Sequence, residues 1–194
     1  MTVEVDTCDR LTSLISVLQK EITNLGIDAN KGIPRELFLL ISSLSPVPNV
    51  DLFVTDTKKR FLLSWRNDEY FGSGWHIPGG CIRLRESFEE RIQKTAISEL
   101  GTNVICNMIP ALTVESIVDK DIATELGNYL RPHNISVLFE CHLPNNYSIE
   151  EFNRGKSYLQ NGYLKWFESL PNEFLTVQKP LYKDYIEAWT KREL

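Results

Sequence analysis

The chain has 194 residues, a hydrophobic fraction of 42%, a charged fraction of 24% and a formal net charge of −5. This length and composition are typical of one globular domain that buries its core without disulfides or a structural metal. The longest unbroken apolar run, Leu37–Ile41, is far shorter than the ~20 residues that span a bilayer. Net negative charge disfavours a nucleic-acid backbone as partner. The sequence therefore predicts a cytoplasmic protein that binds neither membranes nor nucleic acids.

The cysteines are too far apart in the sequence to suggest a metal site or a redox motif. At least 25 residues separate any two of them, and they are Cys8, Cys81, Cys106 and Cys141. Zinc sites usually contain closely spaced Cys or His pairs. We therefore predict reduced thiols, as is usual in the cytoplasm, with Cys106 and Cys141 as small core residues.

The N-terminal segment, 1–45, is predicted to form two helices that add to the main domain, 46–194. Leu11, Leu18 and Leu25 belong to one apolar stripe of an amphipathic first helix. That stripe could pack on the chain's own sheet, or it could join two copies in a homodimer. Two short helices alone cannot close a core, so we interpret this segment as an extension.

Strands alternate with helices in the rest of the chain. Strand-like segments lie at 50–54, 61–65, 103–118, 135–143 and 158–168. Ser87 and Glu90 form a capping box at the start of a helix that runs to Leu100, and an amphipathic helix begins at Pro180. This order predicts an α/β or α+β sandwich in which a mixed sheet lies between helices.

The internal helix carries one acidic residue on its apolar side. At 100° per residue, Glu99 falls within the face formed by Phe88, Ile92, Ala96 and Leu100. An inward carboxylate is costly unless it has a partner. A divalent cation and an arginine such as Arg91 are both suitable partners, and the spacing alone does not choose between them.

The segment around this helix resembles the Nudix box, in a degenerate form. The preceding Gly-x-Gly-Trp-x-x-Pro-Gly-Gly stretch, 72–80, is also typical of that family. The similarity spans roughly 49–170 and implies the Nudix α/β/α sandwich with a mixed sheet. The box positions that agree are Gly80, Glu86, Glu99 and Gly101, whereas Lys94, Thr95 and Ser98 replace the usual arginine and two glutamates.

One Nudix branch is similar in lacking these same glutamates, the GDP-mannose mannosyl hydrolases. The resemblance implies one Mg²⁺ ion, held by the Gly79 carbonyl, Glu99 and Gln160. It also implies cleavage of the sugar C–O bond, because a departing diphosphate needs charge neutralisation more than a metal-generated hydroxide.

Two arginines and an aspartate are the predicted substrate-binding residues. Arg66 corresponds to the arginine that stabilises the leaving group in this branch, and Asp51 to an aspartate near the substrate. Arg83 follows the Gly-Gly turn, and its planar guanidinium suits a phosphate. An exposed strand end is the alternative interpretation of Arg66.

The general base is the position at which this chain departs most from the branch. Asn161 stands where the resemblance implies a histidine, and an amide cannot accept a proton at neutral pH. We predict His133 as a substitute base, with Glu86 as a second candidate for proton transfer or for support of the metal. His76, in a strand facing the box, is a further histidine.

The sequence thus predicts a Mg²⁺-dependent Nudix hydrolase of a nucleoside diphosphate sugar, resembling GDP-mannose hydrolases. It would release free sugar and a nucleoside diphosphate. Two alternatives remain open, namely a pyrophosphohydrolase that cleaves P–O–P bonds and a non-catalytic module that binds nucleotides.

Overall fold

The computed structural model describes residues 2–68, 72–117 and 133–192. Its helices are α1 (Thr2–Asn24), α2 (Arg35–Leu44), α3 (Phe88–Leu100), α4 (Ile149–Phe152) and α5 (Lys179–Lys191). Its strands are β1 (Val47–Thr55), β2 (Phe61–Asp68), β3 (Gly72–His76), β4 (Gly79–Cys81), β5 (Ile105–Cys106), β6 (Leu112–Ile117), β7 (His133–His142) and β8 (Leu164–Phe167). Across these residues, the strands join in one mixed sheet of eight.

Strand β1 lies at the centre of the sheet. It pairs in parallel with β7 over its whole length, from Val47 opposite Asn134 to Thr55 opposite His142. It pairs antiparallel with β2 and with β4. Strands β3 and β8 extend the sheet from β2, and β5 and β6 extend it from β7, all of them antiparallel.

Helices cover both faces of the sheet, as the predicted α/β/α sandwich requires. On one face Ile92, Ala96 and Leu100 of α3 pack on alternate residues of β1. On the other face Tyr182 and Ile186 of α5 pack on the intervening residues of β1 and its neighbours. Because side chains of a strand alternate between faces, β1 contributes to both cores.

The predicted ends of α3 are confirmed. The Ser87 side chain accepts a hydrogen bond from the Glu90 amide, and the Glu90 carboxylate accepts one from the Ser87 amide, which completes the capping box. Gly101 ends the helix in the left-handed region with φ 69°, a conformation that favours glycine.

The strand predicted over 158–168 is present only in its C-terminal part. Residues 164–167 form β8, but the preceding residues turn: the Gln160 amide donates to the Ser157 carbonyl and the Tyr163 amide to the Gln160 carbonyl. Leu159 and Gly162 have positive φ values of 62° and 77°, which are incompatible with an extended strand.

The prediction of reduced thiols is wrong for two of the cysteines. Cys106 and Cys141 lie opposite each other in the β5–β7 ladder and form a disulfide. Their separation of 35 residues in the sequence concealed this adjacency. Cys8 on α1 carries an exposed free thiol.

Helix α1 projects from the rest of the fold. From Cys8 onward every α1 residue except Ile22 is exposed, including Leu11 and Leu18. The stripe therefore does not pack on the chain's own sheet. Contact with the domain comes from the following loop, where the Arg83 side chain donates to the Lys31 carbonyl.

Candidate active site

A cleft lies at the end of the sheet where β1, β4 and α3 meet. Its main cavity, of about 270 Å³, is lined by residues that include Asp51 and Gly79. An adjoining cavity includes Ser98 and Asn161. Arg66, His76 and Glu99 line both cavities. The structure thus brings together four of the predicted site residues: Asp51, Arg66, Gly79 and Glu99.

The Glu99 carboxylate points into this cleft from the inner side of α3. Burial raises its pKa, and the positive charge of Arg66 opposes that shift. Its Oε2 atom lies 3.9 Å from Nε2 of His76. Arg91 binds a different carboxylate, that of Glu86, so the alternative of a Glu99–Arg91 pair does not hold.

The two glycines before α3 are required by the close approach of other groups. A Cβ atom at Gly79 would overlap Oδ1 of Asp51, and one at Gly80 would lie 2.6 Å from Oγ1 of Thr95. Thr95 stands at one of the two positions where the family has a glutamate, and its hydroxyl is buried without a hydrogen-bond partner among the described residues. A longer side chain at either glycine would force β4 away from β1 or α3.

The carbonyl of Gly79 points away from β1. The Leu52 amide donates to the Pro78 carbonyl, and the Ile82 amide to the Pro48 carbonyl, so hydrogen-bonded pairs alternate along this antiparallel ladder. Gly79 lies opposite Asp51, between two such pairs. Its carbonyl therefore lies on the outer edge of β4, where it can serve as an oxygen ligand.

Asp51 is buried at the floor of the main cavity. Burial raises the pKa of its carboxyl to about 6, although hydrogen bonds from Tyr182 and Ser136 favour the charged form. The Tyr182 hydroxyl on α5 donates to Oδ2 of Asp51. Helix α5 thus positions an acidic group beside Gly79.

The predicted catalytic residue Glu86 forms an ion-pair cluster. Its carboxylate accepts from Nε and Nη2 of Arg91 at 2.7 and 2.6 Å, from Nζ of Lys94 at 2.9 Å and from the Arg83 amide at 2.9 Å. The side chain is only 3% exposed. Burial alone would raise the pKa of Glu86, but these hydrogen bonds outweigh it and lower the pKa to about 2. Glu86 therefore holds the loop before α3 against the helix.

We expect Glu86→Gln to destabilise the fold at neutral pH but not in strong acid. The pKa falls from 4.5 to about 2 on folding, which corresponds to about 3 kcal/mol. A carboxyl whose folded pKa is lowered stabilises the protein above its unfolded pKa, and this contribution is lost as the pH falls from 4.5 towards 2. Urea unfolding across that range measures the difference, and a difference that is independent of pH would contradict the assignment.

Two other predicted residues lie outside the cleft cavities. The Arg83 guanidinium binds carbonyl groups of the loop between α1 and α2, including that of Lys31. The Gln160 side chain is turned towards its own loop, where Oε1 accepts from the Ser157 amide at 3.0 Å. Arg83 thus anchors the N-terminal extension, and Gln160 closes a turn.

The His133 side chain points to the face of the sheet opposite Asn134 and Ser136, and it lines neither cavity of the cleft. Asn134 and Ser136 of the same strand line the main cavity, so the intervening side chains point to the other face. Nε2 of His133 lies 2.7 Å from Oε1 of Glu115, with which it pairs across β6 and β7. The structure does not bring His133 together with Glu99.

His76 is the cleft residue that sequence reasoning underrated. It is only 5% exposed, and its Nδ1 lies 2.8 Å from the Ser64 carbonyl. A carbonyl oxygen can only accept a hydrogen bond, so Nδ1 is the donor and Nε2 faces Glu99. Its position three residues before Gly79 was the only sequence feature that pointed to a place in the cleft. A lone histidine does not reveal which way its side chain points, and that direction follows only from the pairing of β2 and β3.

The oxygen donors of the cleft suit one hard divalent cation. The inward carboxylate of Glu99 and the outward carbonyl of Gly79 are ligand types that Mg²⁺ prefers, and Mg²⁺ commonly takes its remaining ligands from water and substrate phosphates. Among the described residues, no group of three or more His, Cys, Asp or Glu side chains could hold a metal. The Glu99 carboxylate and the Gly79 carbonyl are therefore the candidate metal ligands of this cleft.

The NUDIX domain family model matches residues 45–169 of this chain. The chain belongs to the Nudix family. Nudix hydrolases generally use a divalent metal such as Mg²⁺ and act on small nucleotide-derived substrates. Over the residues that the structure describes, no helix is both long enough and apolar enough to cross a membrane.

Solved structures of Nudix proteins share the fold at low sequence identity. The MutT protein from Methanosarcina mazei Go1 is 16% identical with a TM-score of 0.52, over 75% of this chain and 94% of its own. A possible asymmetric diadenosine tetraphosphate hydrolase from Jonesia denitrificans DSM 20603 is 15% identical with a TM-score of 0.55, over 78% of this chain and 99% of its own. None of the curated proteins compared with the chain matches it significantly.

Proposed function

We propose that this Nudix protein is a Mg²⁺-dependent hydrolase of a nucleoside diphosphate sugar, of the GDP-mannose type, which cleaves the sugar C–O bond. The observation that carries the proposal is the composition of the cleft. Only Glu99 provides a carboxylate from the family's box helix, and the charge of Arg66 acts on it. Thr95 and Ser98 replace the glutamates that hold additional metal ions in relatives.

In this reaction, the oxygen of water bonds to the anomeric carbon, with inversion of its configuration. The bond from that carbon to the phosphate oxygen breaks, and its electron pair leaves with the diphosphate. One proton of the water is released. Arg66 stabilises the negative charge that develops on the departing diphosphate, which is the role for which a planar guanidinium is suited.

Glu99 and the Gly79 carbonyl would hold the metal ion in this proposal. A bound Mg²⁺ supplies charge neutralisation to the leaving group. His76 lies on the opposite wall, with Nε2 3.9 Å from Oε2 of Glu99, and Asp51 lies where it can contact the sugar or the ribose. We leave Gln160 out of the ligand set because its amide binds the backbone of Ser157.

A pyrophosphohydrolase is the second candidate. Asp51 and Glu99 line the same cavity, and two carboxylates favour P–O–P cleavage more than one does. Against this, the Asp51 carboxylate is occupied by Tyr182 and is costly to ionise in its buried position. We therefore favour cleavage of the C–O bond over cleavage of the P–O–P link.

Product analysis separates these reactions. Purified protein with Mg²⁺ would be incubated with GDP-mannose, other nucleotide sugars and nucleoside triphosphates. We expect free sugar and nucleoside diphosphate. A nucleoside monophosphate would favour the pyrophosphohydrolase, and nucleotide binding without turnover would favour a non-catalytic module.

We expect Asn161→His to raise kcat. Asn161 lines the cavity beside Glu99, and its Oδ1 accepts from the Asn67 amide at 3.3 Å. A general base typically contributes 10²–10⁴-fold, so an imidazole there should raise kcat by about tenfold or more. Steady-state kinetics with GDP-mannose measures this, and an unchanged or lower kcat would exclude a missing base as the limit on the rate.

A further inference from the structure

Helix α1 exposes an apolar stripe along its length. The stripe comprises Leu11, Leu14, Ile15, Leu18 and Ile22 of α1 and Leu25 directly after it, and all of these except Ile22 are more than 40% exposed. A single amphipathic helix of this length is only marginally stable in water unless its apolar side is covered. We therefore expect a binding partner to cover the exposed stripe.

Between Cys8 and Leu25, the charged residues that border the stripe lie along one edge only. When the angle around the helix axis is measured from Leu11, Arg10 lies at about −100° and Glu21 at about −80°. Both therefore lie beside the edge of the stripe that contains Leu14. Asp9 and Lys20 lie at about 160° and 180°, on the far side of the helix. The opposite edge of the stripe carries uncharged polar residues such as Gln19 and Thr12.

This arrangement is self-complementary when two copies pair antiparallel. A two-fold axis perpendicular to both helices brings the same edge of each stripe together. With the axis beside Ile15, Arg10 of each copy lies level with Glu21 of the other, so two ion pairs form. Leu11 then lies opposite the gap between Leu18 and Ile22 of the second copy.

A parallel pair would not form these contacts. The two-fold axis of a parallel pair runs along the helices, so opposite edges of the stripe meet. Each residue then lies at the same height as the identical residue of the other copy. Arg10 would then face an uncharged polar edge. We propose that α1 is a homodimerisation helix, which pairs antiparallel with α1 of a second copy of this chain.

The oligomeric state of the full-length protein tests this proposal. In sedimentation equilibrium at micromolar concentrations we expect a dimer, and Leu14→Asp with Leu18→Asp should make it monomeric because two apolar contacts are lost from each helix. The Tm of the domain should not fall, because α1 projects from it. A wild-type monomer at all concentrations, or a dimer that survives the double substitution, would overturn the proposal.

Charge exchange tests the antiparallel geometry. Arg10→Glu and Glu21→Arg should each raise the dimer Kd by about tenfold, since each creates two like-charge contacts. The two substitutions together should restore the original Kd. Lys20→Glu, on the far side of the helix, is the matched control and should leave the Kd unchanged. Failure of the double variant to recover would overturn the antiparallel arrangement.

Cys8 provides an independent test of direction. In the antiparallel pair the two Cys8 residues are about 22 Å apart along the axis, at 1.5 Å per residue. A mild oxidant should therefore produce no disulfide-linked dimer on a non-reducing gel. A rapid Cys8–Cys8 cross-link, abolished by Cys8→Ser, would indicate parallel helices and contradict the proposal.

Discussion

Glu99→Gln should lower kcat/KM for a nucleotide sugar by about 10³-fold without destabilising the protein. The carboxylate is the one acidic group of α3 that lines the cleft, and the substitution removes a negative metal ligand while keeping the shape of the side chain. Steady-state kinetics measures the loss of activity. Calorimetric titration of Mg²⁺ should show a parallel loss of affinity.

The stability of the same variant separates a functional role from a structural one. Burial raises the pKa of Glu99, which means that the fold disfavours its charged form. A neutral amide should therefore leave the Tm unchanged or raise it. Glu89→Gln is a matched control, because Glu89 lies on the exposed first turn of α3. A Glu99→Gln variant with normal turnover would exclude Glu99 from the site.

Arg91→Met should reduce the free energy of unfolding by about 3–5 kcal/mol at pH 7. Arg91 is 10% exposed and binds the buried Glu86 through two nitrogens. Removing one member of a buried pair leaves the other charge without adequate compensation, which costs more than the pair itself contributes. Urea denaturation of the purified variant measures the effect.

Lys94→Met is the control for Arg91→Met. Lys94 binds the same Glu86 oxygen but is 52% exposed, so solvent already screens its charge. Its loss should cost less than about 1 kcal/mol. Equal effects of the two substitutions would show that burial does not govern this cluster.

The sequence was sufficient to predict the α/β/α sandwich, because its signals are local. The apolar stripe of α3, the capping box at Ser87 and the left-handed Gly101 are each determined by neighbouring residues. The resemblance to the Nudix box placed Gly79 on the turn before α3 and Glu99 on α3 itself. Both residues line the cleft in the structure.

The remaining site residues depend on contacts that are distant in the sequence. Glu86 was a catalytic candidate, but whether it faces Arg91 or the cleft depends on how the loop packs on α3. His133 and Asn134 are adjacent in the chain yet point to opposite faces of the sheet, and only the register of β7 decides which of them enters the cleft. The Cys106–Cys141 disulfide could not be predicted for the same reason, because only the register of β5 and β7 brings the two cysteines together.

The fate of isotopic oxygen tests the proposed bond cleavage most directly. Hydrolysis of GDP-mannose would be run with Mg²⁺ in water enriched in ¹⁸O, and both products analysed by mass spectrometry. Attack at the anomeric carbon predicts the label in the released sugar and none in the nucleoside diphosphate. Label in a phosphate group of either product would instead show attack at phosphorus and contradict C–O cleavage.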